Sequence, residues 1–255
     1  LVMNALESSK FGQGATFEFP SKNNFPKVAV FDQRVIDYPI NKCVETGKDA
    51  IEKALSVNPS YECGVGIGKG HGMRRLINSK GLDVNIASTS FGIGIDVLLV
   101  KGHSLLWIGE GESSKGLVTD LNKHVDKALK GLRLSEKELK LKTGVYPVIV
   151  TAKAMGNLLA TFETGCNGKL VQKGASPLTN RLGEKIIDER VSIYDDATID
   201  MADASYPWDA EGTPSRQTPL FEKGVLKNFL FDLQTAGIMK TTSTGNGNRG
   251  FASQP

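Results

Sequence analysis

The side chains best suited to chemistry lie in residues 206–247. This stretch mixes acids, an arginine and glycines with short runs of alternating apolar residues, a pattern typical of closely spaced strands joined by functional loops. Its glycines permit close approach of another backbone, and its strands can offer N–H and C=O groups to an extended peptide. We therefore predict a peptide-binding cleft lined by Asp209, Glu211, Gly212, Arg216, Ser243, Gly245 and Asn246.

Each polar side chain in this set has a complementary group in a peptide. Asp209 and Glu211 would meet a basic or amino-terminal group, and Arg216 would meet a carboxylate or a backbone carbonyl. Asn246 would bind a peptide amide. The alternative interpretation is that these residues only stabilise turns, as Gly, Asp and Asn often do.

Acidic residues are concentrated around the start of this stretch. Residues 191–215 contain six acids and no lysine or arginine. Such a segment could attract a basic peptide or a hard cation, but it lacks the ligand spacing of a calcium loop. We interpret most of it as a solvated loop.

Other candidate catalytic groups do not form a motif. The three histidines, His71, His103 and His124, have no second histidine or glutamate at a metal-binding spacing, and we expect them at the surface or at strand edges. The three cysteines are well separated, which favours reduced thiols over disulfides. We predict no cofactor. A hydrolase with a different nucleophile would have to use Ser176, Ser243 or Cys166.

A glycine-rich segment at residues 64–72, GVGIGKGHG, matches neither the phosphate-binding loop nor the dinucleotide-binding pattern. Its strict alternation instead predicts a strand with one bare face, which another backbone or a ligand can approach closely.

The remaining elements follow from hydrophobic periodicity. A helix is predicted at 41–57, and an antiparallel meander at 61–107 with strands that include 82–86 and 91–97. A helical segment at 115–142 is expected to break near 131–135, where Ser135 and Glu138 form a possible capping box. The segment places Lys123, Lys127, Lys130 and Lys137 opposite its apolar face. We interpret this lysine face as solvated, with a nucleic-acid contact as the alternative.

The second half of the chain mixes strands and a helix. Short apolar runs predict strands at 27–31 and 145–150, and residues 183–196 also have strand character. A helix is expected at 152–162, with Met155, Leu158, Leu159 and Phe162 facing inward.

Composition and patterning together predict an α+β fold. Residues 1–27 form a connecting segment, residues 28–143 an α/β domain with the meander, and residues 144–255 a β-rich domain. The net charge of +3 is too small to indicate a nucleic-acid partner. No apolar run is long enough to cross a bilayer, and no signal peptide is recognisable.

Four motifs occur in order within residues 209–250: DAEGTPSR, EKGVL, FLFDLQTAG and STGNGNRG. Together they resemble the signature of the TldD/PmbA family, whose members are called modulators of DNA gyrase. The resemblance extends from residue 26 to the end of the chain. Family members begin before residue 1 and continue past residue 255, so we expect this chain to be an internal piece of a longer protein.

The resemblance implies a cytoplasmic metallopeptidase of paired subunits, in which the TldD-like chain supplies the metal. That chain carries an H-E-x-x-x-H motif on a helix, which falls here on residues 152–157. Ala152, Lys153 and Asn157 stand where the two histidines and the glutamate would be. We therefore predict a PmbA-like chain with no metal and no catalytic residue of its own.

Such a chain would need a TldD-like partner that bears the metal. We expect it to form a dimer, homomeric in isolation and heteromeric in function, that acts on a peptide substrate. The alternatives are the stand-alone hydrolase with a different nucleophile and a protein that binds DNA gyrase.

Overall fold

The computed structural model describes residues 2–11, 14–21, 24–136 and 139–248. Within these ranges the chain forms helices and two antiparallel sheets, which confirms the α+β class. The helices are α1 (Val2–Ser9), α2 (Gln33–Asp37), α3 (Ile40–Val57), α4 (Asn122–Ser135), α5 (Ala152–Cys166), α6 (Gly168–Gln172) and α7 (Leu233–Ile238). The strands are β1 (Tyr61–Ile77), β2 (Asp83–Lys101), β3 (Ser104–Ser114), β4 (Ile193–Asp196), β5 (Gln217–Glu222) and β6 (Val225–Leu226).

The first sheet is the predicted meander, in the order β1-β2-β3. The segments predicted as separate strands at 82–86 and 91–97 are one strand, because its pairing with β1 continues without a register shift through Ser88 and Ser90. In the register, Ile67 lies opposite Ile93, so apolar side chains from neighbouring strands share one face.

Helices α3 and α4 cover that face and complete the first core. Val125, Ala128 and Leu132 of α4 are fully buried, while Lys123, Lys127 and Lys130 are exposed on the opposite side. The helix is shorter than predicted, because residues 115–121 precede it as irregular chain. Lys137 and Glu138 lie outside the described residues, so the lysine face is described only as far as Lys130 and the capping box stays a prediction.

The other face of the first sheet carries glycines at aligned positions of its three strands. Gly66 of β1 aligns with Gly94 of β2, which aligns with Gly111 of β3. The positions that a Cβ would take at Gly66 and Gly68 have no other atom within 4 Å. The bare face predicted from the alternating glycines is therefore present and open.

The second sheet is smaller, in the order β4-β5-β6, and packs with α5, α6 and α7. Its strands contain four, six and two residues. Lys223 and Gly224, both with positive φ, turn β5 into β6, and a Cβ at Gly224 would overlap the carbonyl oxygen of Ile187. The second core consists of Cys166, Val171, Leu178, Leu220, Phe221, Leu226, Phe229, Phe231 and Ala236.

Two predicted strands are wrong, because a strand requires a partner in register and these segments have none in the described part of the chain. Residues 27–31 run as extended chain and bond singly to separate segments, as when Thr89 N–H donates to the Val30 carbonyl. Residues 145–150 are irregular and exposed, with Ile149 at 94% exposure. Of the predicted 183–196 strand, only β4 forms.

The predicted helix at 152–162 is confirmed as α5, but most of its apolar face is open. Met155, Leu158 and Leu159 are exposed by 38%, 51% and 38%. Phe162 alone of the four packs inward, with its ring centroid 5.4 Å from that of Phe221.

The two halves contact each other through residues 201–212. The guanidinium of Arg74 on β1 donates to the Trp208 carbonyl at 2.7 Å and lies over the indole at 5.5 Å. Lys115 N–H donates to the Met201 carbonyl at 2.9 Å. The division of the chain at residues 27 and 143 stays a prediction. Across the described ranges, no helix combines the length and apolarity needed to span a bilayer.

Two leucines of α4 provide a matched test of the first core. Leu132 is fully buried and Leu134 is 70% exposed. Leu132→Ala should lower the free energy of unfolding by about 2–5 kcal/mol, because it removes buried methyl groups and leaves a cavity. Leu134→Ala should change it by less than about 0.5 kcal/mol. Urea denaturation of the two variants compares them, and equal losses would contradict the assignment of the core.

Candidate functional site

The loops that carry the family-like motifs are locked together by a buried carboxylate. Asp209, 1% exposed, accepts hydrogen bonds from Glu211 N–H and Thr213 N–H through Oδ1, both at 2.9 Å. Its Oδ2 accepts from Gly247 N–H at 2.8 Å. Burial raises the pKa of Asp209, and the three N–H donors oppose that rise. One side chain thus joins residues 209–213 to the loop at 243–248.

Glu211 makes a second junction between the same segments. It is 5% exposed and accepts from Leu233 N–H, at the start of α7, at 2.7 Å. A Cβ at Gly247 would overlap the Glu211 side chain, so this contact requires glycine. Ala210 N–H also donates to the Gly247 carbonyl at 2.9 Å.

The remaining loop residues of the predicted set also hold the backbone in place. Gly245 has φ +80°, and a Cβ there would lie 2.6 Å from the Pro214 carbonyl oxygen. Gly212, with φ +85°, packs its backbone against Leu82. Ser243 Oγ donates to the Phe231 carbonyl at 3.1 Å, and the Arg216 guanidinium donates to the Ser243 carbonyl at 2.6 Å.

A cleft of about 900 Å³ opens between the first sheet and the C-terminal half of the chain. Arg74, Ile86 and Ser88 line it from the first sheet, and Lys115 lies beside them. The opposite wall includes Leu159, Phe162 and Glu163 of α5, Asp195 and Asp196 of β4, and Ser205, Tyr206, Asp232, Thr235, Asn246 and Asn248. Among the seven residues predicted to bind a peptide, Asn246 reaches this cleft, while Asp209 and Glu211 are buried behind it.

Asn246 is tied to the acidic wall of the cleft. Its Nδ2 donates to Asp195 Oδ2 at 2.8 Å. Tyr206 lies beside the same pair, and its hydroxyl donates to the Gly245 carbonyl at 3.4 Å. Burial raises the pKa of Tyr206 to about 12, with a smaller contribution from Asp195. The phenol therefore remains neutral and acts as a hydrogen-bonding group.

The helix positions that resemble the metal motif have a different chemistry. Lys153, on the first turn of α5, forms an ion pair with Glu110 of β3 at 2.8 Å and donates to the Gly109 carbonyl. Ala152 has no donor atom, and Asn157 is exposed. This donor set does not fit a divalent metal. Nor do the described residues contain any group of three or more His, Cys, Asp or Glu side chains placed to hold one.

The alternative nucleophiles are buried in structural hydrogen bonds or apolar surroundings. Ser176 Oγ donates to the Gly165 carbonyl at 2.6 Å, and Ser243 is engaged as described above. Cys166 is fully buried, and burial raises the pKa of its thiol to about 11, so the thiol is protonated at neutral pH. These contacts provide no activated nucleophile for the stand-alone hydrolase.

One histidine is not where the sequence predicted it. His71 and His103 are exposed, but His124 is only 3% exposed and its Nε2 lies 3.3 Å from Glu112 of β3. The error arose because α4 packs its first turn onto β3, a contact that helical periodicity alone does not reveal. Lys123 also pairs with Glu112, at 2.5 Å.

Residues 143–255 match the profile of the PmbA/TldA metallopeptidase C-terminal domain. The C-terminal part of the chain, residues 143–255, thus carries a domain of the TldD/PmbA family. The motifs at 209–250 had indicated the same family, and that recognition is confirmed.

Relatives match the chain over different lengths. An uncharacterised protein of Methanocaldococcus jannaschii is 32% identical over 260 residues, which cover all of this chain and 60% of that protein. A metalloprotease TldD homologue of Buchnera aphidicola is 39% identical over 119 residues, 46% of this chain and 24% of that protein. The matched part therefore covers less than two thirds of the length of either relative.

A solved structure shares the fold. TldE from Thermococcus kodakarensis superposes with a TM-score of 0.82 at 21% identity, covering 99% of this chain and 58% of that one. At this identity the match establishes a common fold.

Sequence reasoning missed most of the residues that line the cleft, among them Ser205, Thr235 and Glu163. The available signal was the run of acids at 191–215, which we interpreted as a solvated loop. Asp195, Asp196 and Asp203 of that run face the cleft.

The lock at Asp209 generates a stability prediction. Asp209→Asn replaces one carboxylate oxygen with an NH₂ group, which cannot accept a hydrogen bond. In one orientation the NH₂ group faces Gly247 N–H, and in the other it faces Glu211 N–H and Thr213 N–H. We expect a loss of about 1–3 kcal/mol in the free energy of unfolding, since a buried donor is left unpaired. Asp49→Asn, on the exposed side of α3, is the control and should be neutral. Thermal unfolding that showed no difference between the two variants would refute the lock.

Proposed function

We propose that this chain is part of the PmbA-like, non-metal subunit of a two-chain TldD/PmbA-type peptidase. The observation that carries the proposal is the chemistry of the first turn of α5. There Lys153 neutralises Glu110 and binds a main-chain carbonyl at the place where the family motif would supply metal ligands. Relatives named metalloprotease TldD homologues support the peptidase assignment, and the fold shared with a protein named TldE agrees with the PmbA-like assignment.

In this proposal the chain contributes peptide binding. The cleft of about 900 Å³ is within the range of sites that enclose small ligands, about 300–1,000 Å³, and so can hold a short peptide segment. Its walls offer apolar side chains, such as Ile86 and Phe162, together with carboxylates and cations. This mixture suits a peptide, which carries both N–H donors and C=O acceptors along its backbone.

The seven residues predicted to bind peptide have two roles in this proposal, ligand contact and support of the loops. Asn246 contacts the ligand, because it reaches the cleft. Asp209, Glu211, Gly212, Ser243 and Gly245 hold the loops that form its wall. Arg216 fixes the Ser243 carbonyl. The turn-stabilising interpretation thus applies to most of the set, and both roles serve the same cleft.

The reaction itself would occur on the partner. This chain would orient an extended peptide, and a TldD-like subunit would supply the metal and the hydrolytic water in a cytoplasmic complex. The exposed face of α5 and the open glycine face of the first sheet leave surfaces beside the cleft for that subunit.

Metal analysis of the full-length protein tests the donor set directly. After incubation with equimolar zinc and dialysis without chelator, we expect no stoichiometric zinc, because an alanine and an ammonium replace two of the three motif groups. Elemental analysis is the measurement. One zinc per chain that disappeared in an Asn157→Ala variant would contradict the proposal.

Co-expression tests the two-chain assignment. The full-length protein, produced with and without a TldD-like chain from the same genome, is assayed for cleavage of an unstructured peptide. We expect no cleavage by the protein alone, co-purification of the pair, and chelator-sensitive cleavage by the complex. A partner variant with both motif histidines replaced by alanine is the control. Chelator-resistant cleavage by the protein alone would overturn the proposal.

A further inference from the structure

One corner of the cleft contains buried hydroxyls that no protein group satisfies. Ser205 and Thr235 are each 4% exposed, and both line the cleft. Within the described part of the chain, neither hydroxyl takes part in a hydrogen bond. Neither oxygen is fully enclosed by protein, so both hydroxyls open onto the cleft and are free to bond a ligand there.

A third unsatisfied atom belongs to the same corner. Asn246 Oδ1 is buried and has no partner, although Nδ2 of the same amide donates to Asp195. Ser205 is adjacent in sequence to Tyr206, whose hydroxyl contacts Gly245 next to Asn246. Ser205, Thr235 and Asn246 all line the same cleft.

The corner offers acceptors in excess. Asp195 uses one oxygen on Asn246, and Asp232 uses one on Thr235 N–H at 2.5 Å. Each carboxylate keeps an oxygen with free lone pairs. The amide oxygen of Asn246 can only accept, and the two hydroxyls can accept as well as donate. A ligand that fits here must donate several hydrogen bonds and carry positive charge.

The charges around the cleft also favour a cationic ligand. Five carboxylates line it, against three cations. The carboxylates are Glu163, Asp195, Asp196, Asp203 and Asp232. Of the cations, Arg74 already donates to the Trp208 carbonyl and lies over its ring. A cationic group entering from solvent would therefore meet a net negative wall.

We propose that this corner, formed by Asp195, Ser205, Thr235 and Asn246, binds a primary ammonium group. Its three N–H donors match the surrounding acceptors. The inference rests on the proposed peptide cleft, and the ammonium would come from the amino terminus of the peptide or from a lysine side chain. The sequence had assigned that role to Asp209 and Glu211, which the fold buries as loop braces.

Three fluorescent peptides of equal length separate the sources of the ammonium. One has a free amino terminus and no lysine, the second is the same peptide N-acetylated, and the third is N-acetylated with one lysine. Binding to the full-length protein is measured by fluorescence anisotropy. We expect the acetylated, lysine-free peptide to bind about tenfold more weakly than the better of the other two, because charge-assisted hydrogen bonds are lost.

Variants locate the effect. Asp195→Asn keeps the size of the side chain and its contact with Asn246, and it should abolish most of the about tenfold preference. Ser205→Ala should reduce the preference by about threefold. Glu189→Gln makes the same charge change at an exposed ion pair with Lys185 outside the cleft, and it should leave the preference intact.

The outcomes distinguish the inference from the proposal on which it depends. Equal binding of all three peptides would overturn the ammonium site and leave the peptide cleft standing. Binding of none would overturn both. A preference that survives in both Asp195→Asn and Ser205→Ala would also refute the site. Circular dichroism of each variant establishes that it is folded, and Ser205→Ala provides the test if Asp195→Asn is not.

Discussion

The carboxylate of Asp209 is the interaction on which the architecture of the site depends. It is the most deeply buried acid of the described chain. It accepts three main-chain hydrogen bonds, two from its own turn and one from Gly247, which lies 38 residues later in the sequence. Removing a carboxylate from water is costly, and the N–H donors offset that cost only when both loops are in place. The turn at 209–213 and the loop at 243–248 therefore form together.

This lock explains why the site requires glycine at defined positions. Gly247 lies against Glu211, and Gly245 lies against the Pro214 carbonyl with positive φ. A side chain at either position would separate the loops that Asp209 joins. Because the wall of the cleft is built on those loops, the orientation of Asn246 toward Asp195 also depends on the buried acid.

An ion pair defines the chemistry of the first turn of α5. Lys153 and Glu110 connect the first turn of the helix to an outer strand of the glycine-faced sheet. In a chain that bound a metal, this turn would carry ligands, and here it carries a structural ammonium. The exposed Met155, Leu158 and Leu159 on the same helix show that its apolar face is not covered by the described residues. The helix thus forms one wall of the cleft.

The sequence by itself determined the α+β class, the meander, the helices α3, α4 and α5, and the family, because these depend on local periodicity and on motifs of fixed spacing. It also singled out the loop residues of the site. Only the tertiary structure decided which polar residues face the cleft: Asp209 and Glu211 point inward to main-chain amides, whereas Asp195, Ser205 and Thr235 line the cleft. Burial and hydrogen-bond partners depend on where distant segments meet, and periodicity does not encode those contacts. The failed strand at 145–150 has the same cause, since β-propensity gives a strand only where a partner lies in register.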